Sequence, residues 1–529
     1  MATKELGDTY DIICIGSGMG SLTVASLLSQ FASKKILVIE KHFQPGGYTH
    51  SFSRKQGKFH WDVGIHYVGD MHVGGFCRQM MDKITRKQVL WNQMPEPFEK
   101  FVYPNRTFEL YGNEERFKSD LIAQFPAEKD SIETYFKDVH RASAIFGKSM
   151  MLKSTPPTLE SITVKTGGKE LFTLKDYLDH HFQSIDLKAI LASQWGDYGL
   201  PPSKCAFATH ASLVVHYFNG GFYPVGGAGK IFDTVEPVIE SKGGAVISST
   251  EVLEILVEEG KAIGVKTRAL RGEKQERNFY APIIVSGAGS YPTYMKLIPT
   301  SIEIPFRESL TTFYKKEKMA TSICVYMGLS ESPATLGFKG ENYWIFSSPD
   351  HEENFNDRNT WLESSGEIKN LYISFPSLKD PEANNHTADM ITFTDYALFE
   401  KWKDLPWKKR GEEYTAFKEK IANSVLESIE KRFPGFKAIV EYVEVSTPLT
   451  NEHFTSHPDG AIYGLACVPE RYNKATSPWF EIQTPISGLY LTGADAGGSP
   501  GIAGAMMGGL ATSLRILGNR DLLKEIMRA

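Results

Sequence analysis

The 529-residue chain has little cysteine, and what it has is scattered. Cys14, Cys77, Cys205, Cys324 and Cys467 form no Cys-x-x-Cys pair and no Cys/His ligand spacing, which argues against both a disulfide framework and a metal site. Long apolar runs are missing too. Nothing approaches the roughly 18 consecutive apolar residues of a membrane span, and the short polar stretch Met1 to Asp8 has no signal-peptide pattern. The expected location is therefore the cytoplasm. Charge of one sign is also lacking: a net charge of −5 leaves no electrostatic footprint for nucleic acid. There is no internal repeat and no low-complexity tract. What remains is 41% hydrophobic, enough for a large core, and the length suggests two domains.

The most informative segment comes first. Tyr10 to Ile15 reads as a buried strand. It runs into Gly16-Ser17-Gly18-Met19-Gly20-Ser21, after which Leu22, Val24, Ala25, Leu27 and Leu28 recur as on a helix. A second strand, Lys35 to Ile39, ends on Glu40. Strand, glycine-rich turn, helix, strand and acid form a dinucleotide-binding unit. Gly16 allows the sharp turn, Gly18 allows close approach of a pyrophosphate, and the helix N-terminus offers N–H groups to phosphates. Ser21 stands at the third glycine position and is small enough to keep helix and strand close. An acid at Glu40 accepts hydrogen bonds from an unphosphorylated ribose, which favours FAD or NAD over NADP. Lys41 follows it, and then the pair Gly46-Gly47 before Tyr48 and Thr49. A glycine pair lets the backbone pass beside the flavin side of a cofactor where a Cβ would collide, so FAD is preferred to NAD.

The other end makes an independent case. Gly488 to Asp495 reads as a strand ending in Gly493-Ala494-Asp495, and a glycine-rich stretch through Gly501, Ile502 and Ala503 leads into a helix through Leu510, Leu514 and Leu517. Such a helix aims its positive end at whatever lies before it and stabilises negative charge there. Between the two ends, Tyr223 to Lys230 precedes a helical run from Ile231 to Ser241, and strands are expected at Glu251–Val257 and Ala281–Ser286. Gly229-Lys230 is not a nucleotide phosphate loop, because Pro224 and Ile231 occupy the positions that loop needs for glycine and Ser/Thr.

Together with Phe59-His60-Trp61-Asp62-Val63-Gly64-Ile65-His66-Tyr67-Val68-Gly69, these segments resemble the phytoene desaturase-like flavoproteins, in the branch that contains carotenoid isomerase and retinol saturase. The resemblance spans nearly the whole chain and is weakest over about 76–210 and 300–460. It implies an α/β fold: a Rossmann-type FAD-binding domain (three-layer ββα, glutathione reductase-like) with an inserted mixed-sheet α+β substrate domain. The FAD domain is expected from 1–75, 218–300 and 480–529, and the substrate domain from 76–217 and 301–479. Strands at 320–328 and 371–376 and a helix at 412–433 belong to the latter.

The resemblance further implies that FAD is held by Gly16 to Ser21, Glu40, Lys41, Gly46 to Thr49, Asp62, Gly64, Ile65 and His66. Val252 (to adenine), Gly287 (near the pyrophosphate), Gly493, Asp495 (to ribityl or phosphate oxygens), Gly501, Ile502 and Ala503 complete the set. His66, Tyr67 and Tyr223 are the candidates for catalysis; His60, His72, His210 and His216 are further histidines to place. Gly287-Ala288-Gly289 fits a return to the FAD domain better than a second Rossmann unit. The flavin is then expected to exchange electrons with a transient partner, NAD(P)H, a quinone or oxygen. The substrate class implied is a hydrophobic polyene isoprenoid. Saturation, desaturation and cis–trans isomerisation all remain open, with saturation preferred; an amine oxidase or a non-catalytic lipid-binding flavoprotein are remoter alternatives. Ala144–Lys153 and Trp402–Arg410 mix apolar bulk with basic residues as peripheral membrane contacts do. The oligomeric state is not encoded in any pattern found.

Overall fold

The computed structural model describes residues 6–151, 163–166, 169–317, 320–364, 366–473, 476–518 and 523–524. Met1 to Glu5, and Leu152 and Lys153 of the first candidate membrane segment, lie outside them.

Five short strands lie side by side, all parallel: Ala245–Ile247, Ile36–Ile39, Ile12–Ile15, Ile283–Ser286 and Leu489–Leu491. A parallel sheet is covered on both faces, so its strands are apolar throughout rather than alternating. Ile12, Cys14, Ile36 and Val38 pack with Leu22, Val24, Ile231 and Leu510 of the helices Met19–Ala32, Gly229–Glu240 and Gly501–Leu517. Ile13, Ile15, Leu37 and Ile39 face the other way, in one core with Ile255, Val265 and Phe279. Those residues belong to the antiparallel meander Thr250–Glu258, Lys261–Ala269 and Glu276–Tyr280. The result is sheet, sheet and helix layers.

From Ile12–Ile15 the chain goes first to the strand on one side, Ile36–Ile39, and later returns on the other, Ile283–Ser286. That reversal opens a crevice at the C-terminal ends of the strands, where ligands bind in folds of this kind. Gly16 and Gly287 stand at its two lips. A Cβ built on Gly20 would lie 2.5 Å from the Cα of Gly493, and one on Gly509 would lie 2.5 Å from the Cβ of Thr23. Glycine at 509 lets the first and last helices touch, and glycine at 20 lets the first helix meet the turn that follows Leu489–Leu491.

A seven-stranded mixed sheet stands over this crevice. Its order is Val440–Ser446, Thr321–Leu329, His386–Thr394, Asn370–Ser374, Asn342–Phe346, Glu99–Tyr103 and Arg106–Leu110. Only the Asn342–Phe346 and Glu99–Tyr103 pairing is parallel. Its outer face carries Ile323, Val325, Ile345 and Ile373, packed with Tyr414, Ile421, Val425 and Ile429 of the helix Gly411–Arg432. Its inner face presents Cys324, Tyr326, Ile391, Phe393, Tyr372 and Trp344 towards the crevice. The expected strands at 320–328 and 371–376 and the helix at 412–433 are all present within a residue or two. In the second candidate membrane segment, Trp402 and Arg410 are buried and Leu405 is exposed. In the first, Phe146 and Ser149 are buried and Ile145 is exposed. No helix among the described residues is long and apolar enough to cross a membrane.

Candidate active site

Ser17 knots the N-terminal motifs together. Its N–H (2.8 Å) and its hydroxyl (2.6 Å) both donate to one oxygen of Glu40, whose other oxygen accepts from the His42 N–H at 2.7 Å. The same Ser17 hydroxyl accepts from the Gly46 N–H at 2.8 Å. One side chain therefore sets the glycine turn, the acid and the glycine pair relative to one another. The structure adds to two readings from sequence. Gly47 (φ +57°) also spares the turn, since a Cβ there would lie 2.7 Å from the Gly18 Cα. Ser21 is buried, its hydroxyl 2.3 Å from where a Cβ on Gly287 would stand, just past the strand Ile283–Ser286.

These residues line a cavity of about 1240 Å³. Of the residues expected to hold a cofactor, all but Gly46, Asp62 and Ala503 are on its wall. Two helices open onto it: Met19–Ala32, whose N-cap is Gly18, and Gly501–Leu517, neither with a side-chain cap or an acid in its first turn. Their first N–H groups are available to an anion. A Cβ at Gly18, Gly493 or Gly501 would meet nothing within 4 Å, so these glycines leave open room on the wall. An acid for a ribose, two helix N-termini and a long cradle fit an extended dinucleotide. Asp495 stands beside it, its carboxylate held by the Ser290 and Leu465 N–H groups, both at 2.8 Å.

A second cavity of about 520 Å³ adjoins the first. The two share Gly64, His66, Ile391, Tyr463, Gly501 and Ile502, so His66 stands at the junction, and Ala503 lines the second. This cavity is walled by aromatic rings, among them Tyr67, Trp195, Tyr217, Trp344, Tyr372 and Phe393. Asp197 lines it, and behind its wall lie further buried ionisable groups, Glu99, Asp389 and Lys379, that sequence reasoning missed. The Tyr67 hydroxyl donates to Asp197 at 2.8 Å; burial, and then the nearby Glu99, hold the Asp197 carboxyl well above the usual range. Glu99 accepts from Trp344 Nε1 (2.9 Å) and Gln194 Nε2 (2.8 Å), and burial pushes it up to about 7. His66 Nδ1 lies 3.4 Å from Asp389, a carboxyl with no exposure whose pKa burial raises. Lys379 donates to the His66 carbonyl and to Ser374, both at 2.8 Å, and to Asn342; burial lowers it to about 7.

Tyr223 and Asp62 line neither cavity. The Tyr223 hydroxyl donates to Asp62, which also accepts from Ser51 Oγ (2.5 Å) and the Ala228 N–H (2.9 Å). Together they latch the strand pair Ser51–Arg54 and Phe59–Asp62 to the start of the Gly229–Glu240 helix. Tyr223 was a candidate for catalysis on sequence; its hydroxyl is held in this latch, away from both cavities. His210 is a buried hinge between Tyr135 (3.0 Å) and Tyr198 (3.2 Å), lowered by burial to about 3. His216 accepts from the Gly69 N–H at 2.9 Å on the wall of the second cavity. His60 contacts Ser53 at 3.0 Å, and His72 is 3.7 Å from Asp70. All five cysteines are buried and unbridged, and no metal-holding cluster occurs among the described residues.

Glu99 has a consequence for stability. Its carboxyl titrates near 7 when folded and near the usual carboxylate value when unfolded, so the folded state holds the extra proton. Its contribution is largest at low pH and is lost as pH rises through about 7. Glu99→Gln is therefore expected to flatten the fall in melting temperature between pH 5 and pH 8. Identical slopes in the two proteins would show that Glu99 ionises normally.

Residues 14–84 match the family model of the NAD(P)-binding Rossmann-like domain. Over 547 residues the chain is 33% identical to the all-trans-retinol 13,14-reductase of Danio rerio, covering 99% of this chain and 88% of that protein. The chain belongs to the all-trans-retinol 13,14-reductase family. Prolycopene isomerase 1 of an Oncidium hybrid cultivar is more distant, 26% identical over 98% of this chain and 86% of its own. Among solved structures, an oxidoreductase from Methanosarcina mazei superposes with a TM-score of 0.62 at 16% identity, covering 96% of this chain and 100% of that one, which shows a shared fold. The family membership and the Rossmann cradle make this an oxidoreductase with a flavin-type cofactor.

Proposed function

We propose that the protein is an FAD-dependent enzyme that saturates a carbon–carbon double bond of a retinoid or related polyene, as the 13,14-reductases in its family are named for doing. The observation that carries this reading is the junction at His66. A polar cradle shaped for a dinucleotide meets an aromatic pocket shaped for a flat apolar chain at one residue able to move a proton. In the same reading residues 1–75, 218–300 and 480–529 form the FAD domain and the two intervening blocks hold the substrate.

Glu40 would hold the adenosine ribose, Val252 the adenine and the N-terminus of Met19–Ala32 the diphosphate. Tyr48, Thr49, Gly64 to His66 and Gly501 to Ala503 would hold the flavin ring. When bound there, FAD supplies two-electron redox chemistry. The chain's own residues do the rest. The aromatic wall excludes water and aligns the polyene against the junction. His66, with Nδ1 turned to Asp389, leaves Nε2 free to deliver a proton to the second carbon of the reduced bond. Asp389 is the positioning residue that fixes this orientation. Asp197 and Tyr67 supply the polar pair on the wall that an isoprenoid alcohol needs for its hydroxyl. Isomerisation is the second reading, favoured by the prolycopene isomerase relatives.

Glu40→Arg is expected to strip FAD from the protein on a sizing column. It removes the ribose acceptor and frees Ser17, so the glycine turn loses its tie to the glycine pair. Undiminished flavin absorbance after chromatography would remove Glu40 from the ribose site. The function itself is tested by mixing photoreduced protein with all-trans-retinol under argon. The flavin absorbance returns if the reading is right; a flavin that no retinoid or carotenoid reoxidises would set it aside.

A further inference from the structure

The larger cavity runs past the residues assigned to the cofactor. It opens between the strand Ser51–Arg54, the edge strand Val440–Ser446 and the first turns of the helix Gly411–Arg432. Lys408, Arg410 and Lys418 all line this mouth. Arg410 is only 8% exposed, and it stands at the N-cap of a 22-residue helix, the end where the backbone dipole is already positive. Among the described residues no carboxylate lies at ion-pair distance from Arg410 or Lys418. Arg410 Nη2 makes one long bond to the Leu449 carbonyl (3.4 Å), and its buried Nε has no partner.

The nearby acids are engaged or turned away. Glu444 is clasped by Arg54 through Nε (2.6 Å) and Nη2 (2.7 Å) and also accepts from the Tyr442 hydroxyl at 2.8 Å. Glu412 and Glu413, in the first helical turn, are exposed, and Glu413 pairs with Lys401 at 2.5 Å. Burial depresses Lys418; the Glu444 charge partly offsets this, and the charge of Arg410 lowers it further. A buried guanidinium, a second cation and a helix N-terminus therefore converge on one wall whose acid, Glu444, is already paired with Arg54. Such an arrangement costs free energy in isolation. The Tyr414 ring lies 5.4 Å from Arg410 and 6.0 Å from Lys418, and the Trp407 ring 4.5 Å from Lys408, contacts that offset only part of the cost.

We propose that Lys408, Arg410 and Lys418 form a second anion site, separate from the dinucleotide cradle, that binds a phosphate group. Planar guanidinium and lysine donors beside free helix N–H groups suit phosphate oxygens. The phosphate has two possible sources: a reduced nicotinamide dinucleotide visiting the flavin from this side, or an anionic lipid headgroup at the mouth through which an apolar substrate enters. The site does not depend on which way the polyene reaction runs.

The test uses the FAD-loaded protein, so that the cradle is filled, and inorganic pyrophosphate as probe in calorimetry at low salt. Wild type is expected to bind one pyrophosphate per chain. Arg410→Gln and Lys418→Gln should each weaken it about tenfold or more, the loss of one charge-assisted contact, while FAD content and melting temperature hold. Arg410→Lys should keep most of the affinity. Displacement by NADPH but not by phosphatidylglycerol vesicles assigns the dinucleotide; the reverse assigns the headgroup. No saturable binding by wild type, or binding by both glutamine variants as tight as by wild type, would overturn the proposal.

Discussion

His66→Phe is expected to slow reduction of the polyene by about 10²–10⁴-fold, the usual worth of a positioned proton donor. Phenylalanine keeps a ring against Tyr372, whose centroid is 5.5 Å from that of His66, so the wall between the two cavities stays filled. The proton-carrying Nε2 is lost. His66 also lines the cradle, so flavin content is measured alongside and the rate is compared at equal flavin occupancy. The variant also strips Asp389 of the imidazole 3.4 Å away and leaves a buried carboxyl alone. Some stability should therefore be lost with it. Adding Asp389→Asn is expected to recover that stability without recovering the rate, which separates chemistry from folding. Rapid mixing of the photoreduced variant with all-trans-retinol measures the step directly. A rate within threefold of wild type, with flavin bound, would remove His66 from the mechanism.

The largest effect on folding is expected at Asp62. Asp62→Ala leaves the Ser51 hydroxyl, the Tyr223 hydroxyl and the Ala228 N–H without their acceptor, all three in buried residues. Each unmade bond costs about 1–3 kcal/mol, and the set about 3–5 kcal/mol. The strand pair Ser51–Arg54 and Phe59–Asp62 would then loosen from the helix Gly229–Glu240. That strand pair leads into Gly64 to His66, so FAD should be released at lower denaturant than in wild type. Asp404→Ala on the exposed surface is the control and should shift stability by no more than about 0.5 kcal/mol. Matching urea midpoints for the two variants would show that the latch is not what holds this region.

The dinucleotide unit was legible because its requirements are local. A buried apolar strand, a turn that needs glycine and an amphipathic helix each leave a mark within a dozen residues, and Ile12–Ile15, Met19–Ala32 and Ile36–Ile39 form where those marks fall. The C-terminal motif was legible for the same reason. The buried ionisable groups in and behind the wall of the second cavity were not, since Glu99, Asp197, Lys379 and Asp389 lie far apart in the chain and meet only once it is folded. Signals for them exist all the same. Asp389 is a lone charge among Met390, Ile391 and Phe393 in a strand. Glu99 shares the alternating face of Phe101 and Tyr103, and Asp197 sits between Trp195 and Tyr198. A charge inside an apolar or aromatic run is costly unless it is partnered, and that cost was the clue. Tyr223 failed for the opposite reason. Its neighbours in sequence suggested a role, but direction along a short strand, Phe222–Pro224, is set by its partner Trp91–Gln93 and by Asp62, neither of which is near in the chain.

In the proposed reaction a flavin that holds its electrons between encounters saturates one double bond by a two-electron step. Photoreduced protein, mixed under argon with excess all-trans-retinol and without further donor, measures it through flavin absorbance and the mass of the product. The account predicts one product molecule for each flavin reoxidised, heavier than the substrate by two hydrogens. Many turnovers at unchanged mass, with the flavin still reduced at the end, would contradict it and make the protein an isomerase.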